Sequence, residues 1–414
     1  MLNTHVFPGQ HVREYAGATR NSEEDILYLD ANQYVPLSNP SPQDGDITIL
    51  AAHAIGFPKE LYEPLWDDLL AQSERNGFRI RSIWIAEASN LGASGVLNEQ
   101  TQGDEPSWFD YSRDMLHMTN VFREHMPQPI VGIGHSMGAT SLIQLAIMHP
   151  RVLASLVLLD PIMGISTPQD FATMFIANAL RPDLWSTRAE AERDSRALFK
   201  SWDPRTFELW LRYGLRETPT LLHPEPGAYT LRTSKAQEGW MYARSWLDPL
   251  PPTGDIATPR TRAKYPDQHQ YVRASHPFYR GEDVHVWHDL PRLRPGAAYI
   301  FPSSGPMTDA ESMNAKVERT GTGAGGSGGV KEGRVEKLVV EGVGHLLPFE
   351  RPGECATIAA KWIGKDLKAW QLRRDLAREH RDDKSIDMLA LSEEWVRQAK
   401  LHFQKVKRSR QAKL

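Results

Sequence analysis

A serine flanked by glycines is the first feature of the sequence that could do chemistry. Ser136 lies in the five residues GHSMG, which match the pattern G-x-S-x-G. In this pattern a sharp turn between a strand and a helix raises the serine hydroxyl above the edge of a sheet, where it can attack an acyl carbon. The apolar run at 129–134 predicts the strand, and the residues from Met137 onward predict the helix. We therefore expect Ser136 to be a nucleophile.

A second match to the same pattern surrounds Ser327, in the residues GGSGG. A nucleophile has to be held rigidly in its turn, with a strand ahead of it. Glycine-rich stretches are typical of flexible linkers, and no apolar run precedes this serine. The match at Ser327 is therefore attributed to glycine content, and Ser136 is the candidate.

The base that activates this serine is expected later in the chain, because sites of this type follow the order serine, acid, histidine. Of the histidines after Ser136, His345 is the one that follows a predicted strand near the end of the sheet. Gly342 and Gly344 would let its loop curl back over the sheet edge. His345 is therefore the expected general base.

The acid that orients the histidine has two candidates. Its usual position is the turn after the next-to-last strand, where alignment from Pro302 puts Gly305 in place of the carboxylate. Asp309 follows four residues later, at a position typical of a helix cap. Asp160 instead ends the predicted strand beside the nucleophile strand, and adjacent strands lie only about 4.8 Å apart. We favour Asp160, with Asp309 or an unidentified acid as alternatives.

The developing oxyanion needs two backbone N–H donors. The first is expected from Met137, the residue after the nucleophile. The second is expected from the loop HAIGFP after the third strand, where we favour the N–H of Ile55. Ala54 stands where many related loops have glycine, and His53 is expected to brace the loop without a direct catalytic role.

Short Val/Ile/Leu-rich runs alternate with longer amphipathic stretches, which predicts an α/β fold with a mostly parallel sheet. This rhythm stops between about 165 and 290. There the chain is rich in tryptophan and proline, with a predicted capping box at Thr187 and Glu190 and an N-cap at Asp203 before Pro204. We interpret this segment as an inserted helical cap.

The predicted organisation has four parts. Residues 1–164 and 291–365 would form the two parts of one core, and residues 165–290 the cap. Residues 366–414 would form a charged helical tail. The charged helices of this tail are compatible with a homodimer.

The composition of the chain limits the classes of molecule that it is expected to bind. With 48 basic and 52 acidic residues and a formal net charge of -4, there is no electrostatic reason to expect nucleic acid, so small molecules are the expected partners. The single Cys355 predicts neither an intramolecular disulfide nor a thiolate metal site. No N-terminal apolar segment and no run of about 18 apolar residues occurs, so neither secretion nor a membrane span is expected.

The last three residues resemble a targeting signal. Ala412, Lys413 and Leu414 match the small-basic-leucine pattern of peroxisomal targeting, and a basic run precedes them. We therefore expect recognition by the peroxisomal import receptor and location in the peroxisomal matrix.

Five stretches of the chain resemble those of a fungal group of peroxisomal α/β-hydrolases: HAIGFPKELYEPLWDDLL, PIVGIGHSMGAT, KSWDPRTFELWLRYGLR, LVLLDP and GVGHLLPFERP. This group includes an acyl-CoA hydrolase of mycophenolic acid biosynthesis, hydrolases of toxin biosynthesis and a yeast peroxisomal lipase. The resemblance extends from about residue 10 to about residue 365. It implies an α/β-hydrolase fold, a mostly parallel central sheet with an inserted helical cap.

The resemblance also implies a reaction. Ser136 would attack an acyl-CoA thioester, coenzyme A would leave, and water activated by His345 would release the free acid. It implies that the acid is carried on the strand after the nucleophile, as Asp160 is. Neither a metal nor an organic cofactor would be needed. The acyl group would be a polyketide or fatty acyl chain shortened by β-oxidation.

Two other functions are compatible with the same residues. A carboxylesterase or lipase would use the same triad on an oxygen ester, and the elbow cannot distinguish the two. A catalytically inactive hydrolase fold could act as a binding protein, because a fold alone does not determine function. An epoxide hydrolase is disfavoured because its nucleophile is an aspartate and this chain has Ser136.

Overall fold

The computed structural model describes residues 1–164, 172–245, 266–267, 278–305, 308–382 and 389–411. The chain divides into two compact units, Met1–Asp366 and Leu367–Leu414. The predicted targeting residues Ala412–Leu414 lie outside the described residues, as does part of the predicted cap at 165–290.

Short strands and helices alternate along the first unit. Within the described residues the strands are β1 (Leu2–Pro8), β2 (Tyr28–Tyr34), β3 (Ile47–Ala52), β4 (Ile80–Ala86), β5 (Ile130–His135), β6 (Ser155–Leu159), β7 (Leu184–Trp185), β8 (Leu215–Glu217), β9 (Tyr229–Leu231), β10 (Arg244–Ser245), β11 (Phe278–Tyr279), β12 (Gly296–Pro302) and β13 (Val335–Val340).

The α-helices of the described residues are α1 (Glu63–Ser73), α2 (Gly92–Leu97), α3 (Trp108–Val121), α4 (Met137–Met148), α5 (Ala172–Leu180), α6 (Arg188–Leu198), α7 (Pro204–Tyr213), α8 (Lys235–Tyr242), α9 (Glu282–Asp289), α10 (Ala310–Arg319), α11 (Leu347–Glu350), α12 (Pro352–Asp382) and α13 (Glu393–Gln411). None of the described helices is both long and apolar enough to cross a membrane. In the second unit, the described residues form the end of α12 and all of α13.

Among the described residues, eight strands form the central sheet, in the order β1-β2-β4-β3-β5-β6-β12-β13. Strand β2 is antiparallel to both of its neighbours, and the strands from β4 to β13 are parallel. Every residue of β3, β5, β6 and β12 is buried. This burial explains their continuous apolar runs, which are typical of parallel sheets covered on both faces. The predicted α/β fold with a mostly parallel sheet is confirmed.

The register of three neighbouring strands determines where their end residues lie. His135, the last residue of β5, pairs with Leu159, the last residue of β6. Leu159 also pairs with Ile300 of β12. Because parallel strands end at the same edge of the sheet, Ser136 and Asp160 leave their strands at the same level.

The segment between β6 and β12 is helical in large part, with helices α5 to α9 in its described residues. Asp203 caps α7 by accepting the Arg205 N–H at 2.9 Å, as the Asp-Pro pair predicts. Thr187 caps α6 in the same way, although the Glu190 carboxylate accepts the N–H of Ser186 and not that of Thr187. The segment also contains antiparallel strands β7, β9 and β8, which its sequence did not predict.

Candidate active site

The backbone turns sharply between β5 and α4, and Ser136 lies at the turn with φ 56° and ψ −122°. Among the described residues other than glycine, only Ser136 and Asp160 have a positive φ. Such conformations cost free energy and persist where the surrounding structure imposes them, often at functional sites. Two of the three predicted catalytic residues, Ser136 and Asp160, thus occupy strained turns.

Gly138 explains how the start of α4 can lie so close to the loop after β3. A Cβ atom at this position would lie 2.6 Å from the His53 carbonyl oxygen and would overlap the Ala52 carbonyl. Only glycine permits this approach of one backbone to the other. The approach brings the segment of Met137 against the segment that leads to Ile55.

Asp160 lies at the carboxyl end of β6 and its side chain is 1% exposed. One carboxylate oxygen, Oδ2, lies 2.6 Å from Nδ1 of His345. On the other side of the ring, Nε2 of His345 lies 2.9 Å from Oγ of Ser136. Because the carboxylate can only accept, Nδ1 carries the ring proton and Nε2 offers its lone pair to the serine hydroxyl. The structure thus brings Ser136, His345 and Asp160 into one hydrogen-bonded line.

Asp309, the alternative acid, lies elsewhere. It is exposed and forms the N-cap of α10, where its carboxylate accepts the Ser312 N–H at 2.8 Å. Ser327 donates its N–H to the carbonyl oxygen of Leu293, and its Oγ accepts the N–H of Gly329. Neither residue belongs to the hydrogen-bonded line at Ser136.

The turn after β12 forms hydrogen bonds to the loop that precedes His345. This is the turn in which the acid is usually found, and Gly305 stands at that position. Oγ of Ser303 accepts the N–H of Gly342 at 2.9 Å, and Oγ of Ser304 donates to the carbonyl oxygen of Val343 at 3.0 Å. Helix α11 begins directly after this loop, with proline in its first turn. Both serines stand in FPSSGPMTD, yet their spacing alone did not reveal these contacts.

A buried lysine completes the surroundings of Asp160. Lys316 of α10 is 1% exposed, and its ammonium donates to the carbonyl oxygen of Pro161 at 3.1 Å. Burial lowers the pKa of Lys316, while the nearby charge of Asp160 opposes that shift. Sequence reasoning missed this residue because it lies 156 positions after Asp160 on an otherwise polar helix.

The two predicted oxyanion donors lie at the start of α4 and in the turn after β3. Met137 is the first residue of α4, so its N–H has no acceptor within the helix. Ile55 is buried in the turn after β3. Met137 directly precedes Gly138, and Ile55 follows Ala52 and His53, so the close approach at Gly138 brings the segments of both donors together. This arrangement is suited to stabilising a negative charge that develops beside Ser136.

His53 braces the Ile55 loop, as the sequence predicted. Its Nδ1–H donates to the carbonyl oxygen of Ala54 at 2.8 Å, and its Nε2 accepts the N–H of Ala88 at 3.0 Å. Complete burial lowers the pKa of His53 to about 4. The ring is therefore neutral near pH 7, with one donor and one acceptor, both satisfied.

Comparison with known proteins places these features in context. Residues 49–358 match the model of the alpha/beta hydrolase family. The chain is 36% identical to a type I acyl-CoA thioesterase from Penicillium brevicompactum, over 96% of this chain and 94% of that protein. A type I acyl-CoA thioesterase from Penicillium roqueforti is also 36% identical, with the same two coverages.

Among solved structures, the chain resembles a peroxisomal alpha-beta-hydrolase from Saccharomyces cerevisiae. The TM-score is 0.66 at 15% sequence identity, over 93% of this chain and 98% of that chain. At this identity the likeness concerns the fold.

Proposed function

Since the chain belongs to the alpha/beta hydrolase family and is a hydrolase, we propose that it hydrolyses an acyl-CoA thioester to a free acid and coenzyme A. The observation that carries the proposal is the hydrogen-bonded line from Asp160 through His345 to Ser136. The 36% identity to acyl-CoA thioesterases over nearly the whole chain supports the choice of a thioester.

In the first half of the reaction, His345 Nε2 takes the proton of Ser136 while Oγ attacks the thioester carbonyl carbon. The carbonyl oxygen becomes an oxyanion and accepts the N–H groups of Met137 and Ile55. The intermediate then collapses, the C–S bond breaks, and the sulfur of coenzyme A receives the proton from His345. An acyl group remains on Ser136.

In the second half, water attacks the acyl carbon and His345 again accepts the proton. Collapse of this intermediate returns the proton to Ser136 and releases the free acid. Asp160 accepts the Nδ1–H of His345 throughout, which maintains the tautomer and stabilises the imidazolium. None of these steps uses a metal ion or an organic cofactor.

The segment 165–290 is proposed to act as a cap that supplies the acyl pocket. Its described part contacts helix α11, which follows the loop of His345, through Asp203, whose N–H donates to the carbonyl oxygen of Phe349 at 2.8 Å. Trp202 and Phe349 have ring centroids 5.1 Å apart. Polyketide or fatty acyl chains are the substrates proposed for this cap, because the tryptophan, leucine and methionine content of the segment suits a bulky apolar group.

Labelling with a fluorophosphonate tests whether Ser136 is an activated nucleophile. The wild-type protein should react and Ser136→Ala should not, since the probe attaches to an activated serine. Ser327→Ala is the matched control and should label like wild type. An unlabelled wild-type protein would favour the catalytically inactive binding protein.

Paired substrates test the choice between thioester and oxygen ester. Acyl-CoA thioesters and p-nitrophenyl esters with the same acyl groups should give higher kcat/KM for the thioesters. Higher values for the oxygen esters would favour a carboxylesterase or lipase with the same Ser136, His345 and Asp160.

The proposed location is the peroxisomal matrix, reached through the import receptor by Ala412–Leu414. Removal of these three residues should leave the tagged protein diffuse in the cytosol, with its hydrolase activity unchanged in vitro. Peroxisomal import of the truncated protein would contradict the proposed targeting signal.

We also propose a homodimer formed through the charged tail, which sedimentation would detect as twice the chain mass of 46.8 kDa.

A further inference from the structure

A chain of buried hydrogen bonds connects the loop of Ile55 to the loop of His345. The N–H of Ala54 donates to the Tyr62 hydroxyl oxygen at 2.9 Å. That oxygen lies 2.9 Å from Nδ1 of His135, and Nε2 of His135 lies 2.8 Å from the carbonyl oxygen of His345. His135 occupies the first of the two variable positions of the G-x-S-x-G pattern and directly precedes Ser136.

The direction of each hydrogen bond follows from its partners. A backbone N–H can only donate and a carbonyl oxygen can only accept, so Ala54 must donate and Nε2 of His135 must carry a proton. If His135 is neutral, its Nδ1 is unprotonated and accepts a hydrogen bond from the Tyr62 hydroxyl. Complete burial lowers the pKa of His135 well below its usual value, which is consistent with a neutral ring. One arrangement of protons therefore satisfies the whole chain.

Both middle residues are enclosed by protein. Tyr62 is 2% exposed and His135 is fully buried. The rings of Phe349 and Tyr62 pack edge to face with centroids 5.0 Å apart, and Phe349 also packs on His135 at 5.5 Å. A buried polar group that loses its partner cannot turn to solvent for another, so this series of hydrogen bonds resists displacement of either end.

The two ends carry different parts of the proposed machinery. Ala54 directly precedes Ile55, whose N–H is the proposed second oxyanion donor. The carbonyl of His345 belongs to the proposed general base itself. We propose that Tyr62 and His135 are positioning residues. Their hydrogen bonds keep the loop of Ile55 and the base His345 in fixed positions relative to Ser136. This inference rests on the proposed function.

The expected effect is on turnover. Misplacement of a catalytic group by about 1 Å can cost about a hundredfold in rate. Tyr62→Phe removes the hydroxyl and leaves both the Ala54 N–H and Nδ1 of His135 without a partner, while the ring remains. We expect kcat to fall about tenfold to a hundredfold and KM to change less than about twofold, because geometry at the reacting centre changes and substrate binding does not.

Tyr299→Phe provides a matched control. Tyr299 is a fully buried tyrosine of β12, and its hydroxyl forms one hydrogen bond with Thr320 Oγ1 at 2.7 Å. Both variants should lower the melting temperature, since each loses a buried hydrogen bond. Only Tyr62→Phe should lower kcat. Equal kcat values for the two variants would overturn the inference, whatever their melting temperatures.

Two substitutions of His135 test its hydrogen bond to the His345 carbonyl separately from its hydrogen bond to Tyr62. In His135→Gln the longer side chain can still present an N–H toward the His345 carbonyl, and in His135→Asn it falls short. We expect His135→Gln to retain more of the wild-type kcat than His135→Asn. The double variant Tyr62→Phe with His135→Asn should be no slower than the slower single variant, since both interrupt one chain. If the rate losses of the two single variants multiply in the double variant, Tyr62 and His135 do not act through one series of hydrogen bonds.

The outcomes distinguish this inference from the proposed function. A wild-type protein that neither hydrolyses acyl-CoA nor labels at Ser136 would refute the function on which the inference rests. An active wild type with unchanged kcat in Tyr62→Phe would refute the positioning roles alone.

Discussion

Replacing Asp160 with asparagine tests the assignment of the acid with little change of shape. The wild-type carboxylate oxygen Oδ2 lies 2.6 Å from Nδ1 of His345, in a side chain that is 1% exposed. An amide at this place can turn its N–H₂ group toward Nδ1 as a donor. The ring proton then moves to Nε2, so that Nε2 can no longer accept the hydroxyl proton of Ser136.

The magnitude follows from the loss of the base. In a serine hydrolase the wrong histidine tautomer lowers kcat about a thousandfold to ten-thousandfold, which corresponds to about 4 to 5.5 kcal/mol of activation free energy. We expect this range for Asp160→Asn because no other carboxylate bonds to His345 among the described residues. KM should change little, since the carboxylate lies behind the imidazole and away from the acyl group.

The assay is release of coenzyme A thiol from an acyl-CoA, with Asp309→Asn as the control. Asp309 is exposed and caps α10, and asparagine is about as good an N-cap as aspartate, so this variant should stay within about twofold of wild type. If Asp309→Asn loses activity and Asp160→Asn retains it, the acid is Asp309 and the reasoning from the strand register is wrong.

Two further changes test other parts of the structure. Gly138→Ala would drive a methyl group into the carbonyls of Ala52 and His53, so kcat measured by thiol release should fall at least about tenfold. Gly77→Ala meets no neighbour and should leave kcat unchanged, although its φ of 77° strains the alanine and should lower the melting temperature. Burial raises the pKa of Asp110 to about 7, so the folded state holds a proton that the unfolded state has lost, and this contribution to stability disappears as pH rises from about 4 to 7. Asp110→Asn has no such titrating group, so its free energy of unfolding does not fall in this way. Urea unfolding at pH 5 and pH 7 should show this free energy rising relative to that of wild type by up to about 1.4 kcal/mol per pH unit. A constant difference between them would show that Asp110 is ionised throughout.

The parts of the site that sequence could predict depend on local patterns. The strand, turn and helix around Ser136 and the glycines before His345 are adjacent in the chain, so their proximity to the sheet edge follows from the order of elements. The choice of Asp160 also needed the register of β5 and β6, which the buried apolar runs made predictable.

Other features depend on contacts between distant segments. Tyr62 and His135 are 73 positions apart, and neither has a spacing that distinguishes it from an ordinary core residue. Lys316 reads as one charge on a polar helix, and its burial beside Asp160 follows only from how α10 packs. The strands β7 to β9 have two or three residues each, too few for periodicity to reveal them.

The most direct test of the central claim is hydrolysis of an acyl-CoA by wild type and Ser136→Ala, with free thiol and free acid measured together. The account predicts that wild type forms one thiol for each acid, and that Ser136→Ala, with an unchanged melting temperature, is at least about a thousandfold slower. Activity close to wild type in Ser136→Ala would show that the thioester is cleaved without this serine and would contradict the account.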